Sequence, residues 1–219
     1  MKRIVSLSGG KDSTAMLLLL LDMDVPIDYV VFVDTTKEFH EIYDNVNRVE
    51  KYISPIPLIR LRFDYDSYLP KYGFPYIKSR WCTGLKRDLV RSFASSLKDD
   101  YIMYVGIAYD EFSRIRFKKH LVYPLVQLKI TEAQALKICY SHGFYFSGIY
   151  DIMDRTGCYS CPLAVKRLYS IYKYYPQLFN DIKRMESISR NKFTPNLSIY
   201  DYERKFSRLI PLPLDNIFL

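Results

Sequence analysis

The sequence predicts an α/β protein: a doubly wound, mostly parallel sheet followed by a helical C-terminal part that carries cysteines. Three observations carry that expectation. Short apolar runs alternate with helix-patterned segments through the first half of the chain. One of these runs, Ile27–Val33 (IDYVVFV), is nearly continuous in apolar residues, as a strand covered on both faces must be. The first run ends in Ser-Gly-Gly directly before a Leu-rich segment, the strand–turn–helix join of a right-handed βαβ unit.

Taken in order, Arg3–Leu7 is the first strand and Ser13–Met23 the first helix. After the strand at Ile27–Val33 come a helix at Glu38–Ile53 and a third strand at Leu58–Phe63, which alternates apolar and basic residues. A helix at Lys86–Leu97 leads into a further buried strand, Tyr101–Gly106. Past Pro124 the pattern turns helical. Thr131–His142 opens with Thr-Glu-Ala-Gln, a capping box with threonine at the cap and glutamine three residues on, and Gly143 is suited to end it. Pro162–Tyr174 and Asn180–Arg190 read as helices, and Pro195–Leu219 as an irregular tail. The expected division is therefore an α/β nucleotide-binding domain at 1–125, a helical part at 126–194 and a tail at 195–219.

A chain of 219 residues suits one domain with an appendage and buries about 70% of its unfolded surface. Apolar residues at 49% and charged residues at 26% are those of a soluble globular protein. The 21 tyrosines are expected in core and surface alike. A formal charge of +8 attracts polyanions, from tRNA or DNA to nucleotides and sulfonucleotides. The longest apolar run, Ala15–Leu21, is far short of the roughly 20 residues that span a bilayer, so no membrane partner is expected. The opening residues lack an apolar signal core, which points to a cytoplasmic protein whose four cysteines are metal ligands, catalytic thiols or core residues rather than disulfides. Oligomeric state is open, and none of His40, His120 and His142 is assigned a role.

Ser6-Leu7-Ser8-Gly9-Gly10-Lys11-Asp12-Ser13-Thr14 lies between the first strand and the first helix. Paired glycines let several backbone N–H groups converge on one anion, the helix N-terminus adds partial positive charge, and Lys11 can neutralise phosphate. The spacing is not that of the Walker loop, which places four residues between its first glycine and Gly-Lys-Ser/Thr. Asp34 and Thr35 end the second long strand, where ligands bind in open α/β sheets. Cys158-Tyr159-Ser160-Cys161 has the spacing of a shared metal site. Cys82 lies upstream on a separate element, with Cys139 between them. Sulfur ligation of this kind suits an iron–sulfur cluster or zinc.

The Ser-Gly-Gly-Lys-Asp-Ser run at 8–13 resembles the phosphate loop of the PP-loop, or N-type ATP pyrophosphatase, superfamily. The segments SLSGGKDST, VDTTKEF, SRWCTGLKR, GIAYDEFSR, VYPLVQLKITEAQALKICYSHGF and RTGCYSCPL together resemble its phosphoadenosine phosphosulfate reductase family. The resemblance implies an adenine nucleotide alpha hydrolase-like fold. It implies ATP held by Ser6, Ser8–Thr14, Asp34, Thr35, Gly106 and Arg114, with Mg²⁺ between carboxylate and phosphate oxygens near Asp34. It implies catalytic roles for Lys11, Asp12 and Lys86, and substrate phosphate or sulfate binding by Lys86, Arg87, Arg114 and Arg116. It implies an iron–sulfur cluster on Cys82, Cys158 and Cys161, with Cys139 a candidate fourth ligand and zinc the alternative metal.

Assimilatory reductases of the family use a cysteine in a terminal Glu-Cys-Gly-x-His segment, whereas residues 195–219 hold neither cysteine nor glycine. Three functions therefore stand at this stage. The first is ATP-dependent adenylation with pyrophosphate release and sulfur transfer to an acceptor such as tRNA, with a sulfur-donor protein as partner. The second is sulfonucleotide reduction with a thiol donor. The third is a zinc-stabilised nucleic-acid-binding module.

Overall fold

The computed structural model describes residues 1–209. Its elements in chain order are β1 (Lys2–Leu7), α1 (Lys11–Asp22), β2 (Tyr29–Asp34), α2 (His40–Tyr52), β3 (Leu58–Arg62), α3 (Leu69–Tyr72), α4 (Trp81–Ser96), β4 (Tyr101–Val105), β5 (Leu121–Val122), α5 (Pro124–Gln127), α6 (Glu132–Ser141), α7 (Ile149–Ile152), α8 (Leu168–Tyr174), α9 (Pro176–Ile188) and α10 (Ile199–Ser207). The contacts divide the chain into two units, one of Met1–Phe63 with Thr83–Cys158 and one of Asp64–Cys82 with Tyr159 onward.

The first unit is the expected α/β body. Its five strands are all parallel in the order β3-β2-β1-β4-β5. Ile4, Val5, Val30, Val31 and Phe32 are buried almost completely, which explains why β1 and β2 read as continuous apolar runs. Strand order reverses beside β1, so the segments leaving β1 and β4 part company there and open the crevice in which ligands of such sheets bind. The α1 helix packs on β1 and on α6, and that enclosure accounts for its Ala-Met-Leu-Leu composition without a polar stripe. The capping box of α6 forms as expected, with the Thr131 and Gln134 side chains each bonded to the other residue's backbone. Gly143 (φ 79°) closes the helix in a Schellman motif: its N–H reaches Tyr140 O and that of Phe144 reaches Cys139 O.

The second unit draws on two separated segments, so the expected boundary at 125/126 is redrawn: α6 belongs to the body, and residues 64–82 leave it. Asn191 joins the two segments, accepting from Phe74 N–H (2.6 Å) and donating to Phe74 O (3.2 Å). Trp81 stacks on Tyr68 and Tyr72 and donates its indole N–H to Gly73 O (3.0 Å). Tyr169 and Tyr172 of α8 join Phe179, Tyr202 and Phe206 in one aromatic cluster. The expected irregular tail is corrected for residues 199–207, which form α10. Its start is a second capping box, Ser198 with Asp201, and Phe206 packs into the cluster; the prolines and basic residues around it masked the helical spacing. The rest of that tail lies outside the described residues. Among the described residues no helix is long and apolar enough to cross a membrane.

Candidate nucleotide site

The loop after β1 is built to expose N–H groups. Gly9 has φ 78°, and a Cβ there would stand 2.7 Å from Ile42 Cγ2 and 2.9 Å from Val46 Cγ2, so α2 admits only glycine. Asn45, buried on α2, donates to Gly9 O (2.9 Å) and to Thr14 Oγ1 (3.1 Å), tying loop to helix. Ser8 N–H donates to Ser13 Oγ (3.0 Å), and Ser13 Oγ donates to Gly10 O (3.1 Å). Ser6 remains within β1, in register with Val31 and Val105. The N–H groups of Gly9, Asp12 and Ser13 make no hydrogen bond among the described residues. Unsatisfied donors at a helix N-terminus are what an anion binds.

Tyr150 and Thr156 close over this loop. Lys11 N–H donates to the Tyr150 hydroxyl (2.7 Å), which shares a hydrogen bond with Thr156 Oγ1 (3.1 Å). Burial pushes the Tyr150 hydroxyl well above its usual range, so it stays a neutral donor and acceptor. Tyr150→Phe removes the acceptor of a buried N–H and the partner of Thr156. It is expected to lower stability by about 1–2 kcal/mol, read from the denaturant midpoint at unchanged slope.

Lys11 is buried, with Nζ 3.1 Å from Asp154 O, 3.6 Å from Glu132 and 3.9 Å from Asp12. Asp12, Glu111 and Glu132 bring carboxylate oxygens within 4.8 Å of one another. Arg155 pairs with Glu111 and lies 3.7 Å from Glu132, and Arg114 also pairs with Glu111. The arginines hold the buried Glu111, whereas Asp12 Oδ1 and Glu132 Oε1 are buried without a hydrogen-bond partner. Burial, opposed by Lys11 and reinforced by Glu132 and Glu111, raises the Asp12 carboxyl to about 6. Sequence reasoning missed Asn45, Glu111, Glu132, Tyr150 and Arg155, which come from distant stretches and carry no local pattern.

The β2 end is held by contacts of its own. Asp34 Oδ1 accepts from Thr36 N–H and from the Tyr43 hydroxyl, both at 2.7 Å, and Arg62 lies 3.7 Å from Oδ2. The carboxylate thus shapes its own turn, and it stands outside the Asp12–Glu111–Glu132 group. Thr35, fully buried, donates to Glu38 Oε1 (3.1 Å) and lies 3.1 Å from Cys158 Sγ. Glu38 is buried and stands 3.2 Å from Lys86 Nζ and 3.3 Å from Cys158 Sγ; Lys86 Nζ is 3.8 Å from the same sulfur. Lys86 is thereby joined to a cysteine and a glutamate, while Arg87 pairs with Asp88 on an exposed face.

Of the four cysteines, Cys82 and Cys161 belong to the second unit and Cys158 to the first. All three are partly exposed. Cys139 is fully buried on α6 and donates to Lys11 O on α1 (3.3 Å). Burial pushes its thiol up to about 12, which suits a small apolar residue holding α6 to α1.

Gly106 marks where β4 meets the loop. A Cβ there would lie 2.6 Å from Ser13 Cα and 2.8 Å from Ser13 N.

The chain is 31% identical over 194 residues to an uncharacterized protein of Methanocaldococcus jannaschii and 26% identical over 188 residues to a second one from the same organism. Each alignment covers 80% of this chain but 39% and 45% of the relatives, so the chain spans less than half their length. Among solved structures, the U34-tRNA thiolase NcsA from Methanococcus maripaludis, determined with its [4Fe-4S] cluster, aligns over 94% of this chain and 80% of its own at 16% identity and a TM-score of 0.46. The model of the phosphoadenosine phosphosulfate reductase domain matches residues 2–164, well over half of the 219 residues, and the chain belongs to that family.

Proposed function

We propose that this chain binds ATP at Ser6–Thr14 and catalyses attack on its α-phosphorus, adenylating a carbonyl oxygen of an acceptor and releasing pyrophosphate. The observation that carries the reading is the free N–H set of Gly9, Asp12 and Ser13 beside buried Lys11. These donors hold the pyrophosphate portion, and they stabilise the charge that develops on it as the bond between the α-phosphorus and its bridging oxygen breaks. The acceptor oxygen takes the place of the leaving group, and the adenylated carbon becomes open to a nucleophile.

Asp12 and Glu132 fit Mg²⁺, because their carboxylates come within 4.8 Å of each other, Asp12 Oδ1 and Glu132 Oε1 meet cations only at ion-pair distances of 3.6–3.9 Å and have no hydrogen-bond partner, and Mg²⁺ takes one or two carboxylates together with phosphate oxygens. The metal site is thus assigned to Asp12 rather than to Asp34. Cys82, Cys158 and Cys161 are partly exposed thiols of the kind an iron–sulfur cluster takes, and Cys139, fully buried and bonded to Lys11 O, is the least suited of the four. Such a cluster, when bound, supplies an iron position for sulfide.

Prolonged incubation with ATP and Mg²⁺, with water standing in for the acceptor, tests the reading by phosphorus NMR. AMP and pyrophosphate are the expected products. ADP and phosphate, or failure to bind ATP in calorimetry, would overturn it.

Cys158 favours a second reading. Its sulfur donates to Glu38 Oε1 and stands 3.8 Å from the Lys86 ammonium, a cation of the kind that favours a nucleophilic sulfur. In sulfonucleotide reduction this sulfur, as thiolate, attacks the sulfonate sulfur and expels the nucleotide phosphate, leaving a thiosulfonate that an external thiol reduces to release sulfite. Sulfite formed from adenylyl sulfate and lost in Cys158→Ser would support this chemistry; no turnover would remove it.

A further inference from the structure

Residues 112–119, Phe-Ser-Arg-Ile-Arg-Phe-Lys-Lys, carry four cations and no acidic group. Phe117 is 87% exposed and Phe112 55%. The segment is nonetheless fixed in place. Ile115 is buried, the Arg116 N–H and carbonyl both bond the Tyr123 hydroxyl (3.1 and 2.9 Å), and Leu121 N–H donates to Lys118 O. It also starts at the nucleotide site, since Glu111 lies in the carboxylate group and Arg114 pairs with it. A solvated charged face accounts for the lysines and arginines but gives no reason for two phenylalanines held in water on an anchored backbone.

We infer that this segment docks single-stranded RNA, with Phe117 stacking on an unpaired base while Lys118 and Lys119 neutralise the adjoining phosphates. Aromatic faces and cations in alternation are the means by which unpaired strands are held without sequence reading. An open ring face suits a base tethered through its own backbone better than a free nucleotide. Cellular DNA keeps its bases stacked within the duplex, whereas RNA presents unpaired bases in loops. The inference deepens the proposed function by naming the acceptor as a nucleobase carbonyl in RNA, and it rests on that reading for its chemistry but not for binding.

The test is the anisotropy of a fluorescent, unstructured oligoribonucleotide titrated with the full chain at several salt concentrations, with ATP binding followed separately by calorimetry. Phe117→Ala is expected to weaken RNA binding about tenfold. The double variant Lys118→Glu, Lys119→Glu should weaken it further and flatten the salt dependence by about 1–1.5 in log–log slope. Both variants should bind ATP as the parent does. Lys11→Ala should do the reverse, keeping RNA and losing ATP. RNA binding that is absent, indifferent to the Phe117 and lysine changes, or matched by duplex DNA of equal length would overturn the inference. RNA binding intact in a chain that never forms pyrophosphate would leave the docking surface standing and remove the adenylation reading instead.

Discussion

Replacing Gly106 with alanine is expected to weaken ATP binding by about 100-fold or more and to lower stability by about 3 kcal/mol. The added Cβ would stand 2.6 Å from Ser13 Cα, 2.8 Å from Ser13 N and 3.0 Å from Asp12 C. All three are backbone atoms at the start of α1, so no rotamer change relieves the contact. Either β4 or the helix must shift, and on the proposed reading the helix start aims the N–H groups and Lys11 at the nucleotide. A displacement approaching 1 Å there is enough to cost two orders of magnitude in a positioned interaction. Gly84→Ala provides the contrast. Gly84 lies within α4, and a Cβ there meets nothing within 4 Å, so the change is expected to raise stability by about 0.5–1 kcal/mol through lost freedom of the unfolded chain. Calorimetry with ATP and denaturant unfolding on both variants decide the matter. ATP affinity in Gly106→Ala equal to the parent's would show that β4 does not brace the loop.

That contact illustrates what the sequence conveyed and what it withheld. Strand, Gly-Gly turn and Leu-rich helix are adjacent in the chain, and each leaves a local mark: hydrophobic period, turn glycine, capping box. The β1–α1 join and the α6 boundaries were therefore legible. Gly106 could be placed near the nucleotide only through resemblance, because its reason is a contact between residues 93 positions apart (106 − 13). Glu111, Glu132 and Arg155 are charged residues in unremarkable segments, and only the fold makes them neighbours. Cys139 and Cys158 are the same residue type, and what separates them is whether the surrounding helix packs over the sulfur. The two-residue β5 is too short to show a period. The second unit was hidden for a different reason: it joins residues 64–82 to residues past 158, and no composition shift marks such a pairing.

Asp12 is expected to make the nucleotide-free chain less stable at neutral pH than in mild acid, and Asp12→Asn to remove that dependence. Its carboxyl titrates near 6 in the fold against an ordinary 3.8, chiefly through burial, with Lys11 opposing and Glu132 and Glu111 adding to the rise. The sign follows from linkage: a raised carboxyl binds its proton more tightly in the folded state, so its contribution is fully present below about pH 3.8 and is lost as pH rises through 6. The full difference amounts to about 3 kcal/mol as an upper bound. Other carboxylates titrate in the same range, so the informative quantity is the stability of Asp12→Asn minus that of the parent. It should be near zero at pH 3.5, grow between pH 4 and 6, and level off at about 1–3 kcal/mol by pH 7. The two urea-midpoint curves running parallel across that range would overturn the assignment. Adding Mg²⁺ with ATP at pH 7 should raise the parent's midpoint more than that of Asp12→Asn, because a cation beside the carboxylate also relieves the cost of the buried charge. The carboxylate that destabilises the empty loop is then the one that recruits the metal, a trade between stability and activity common to functional sites.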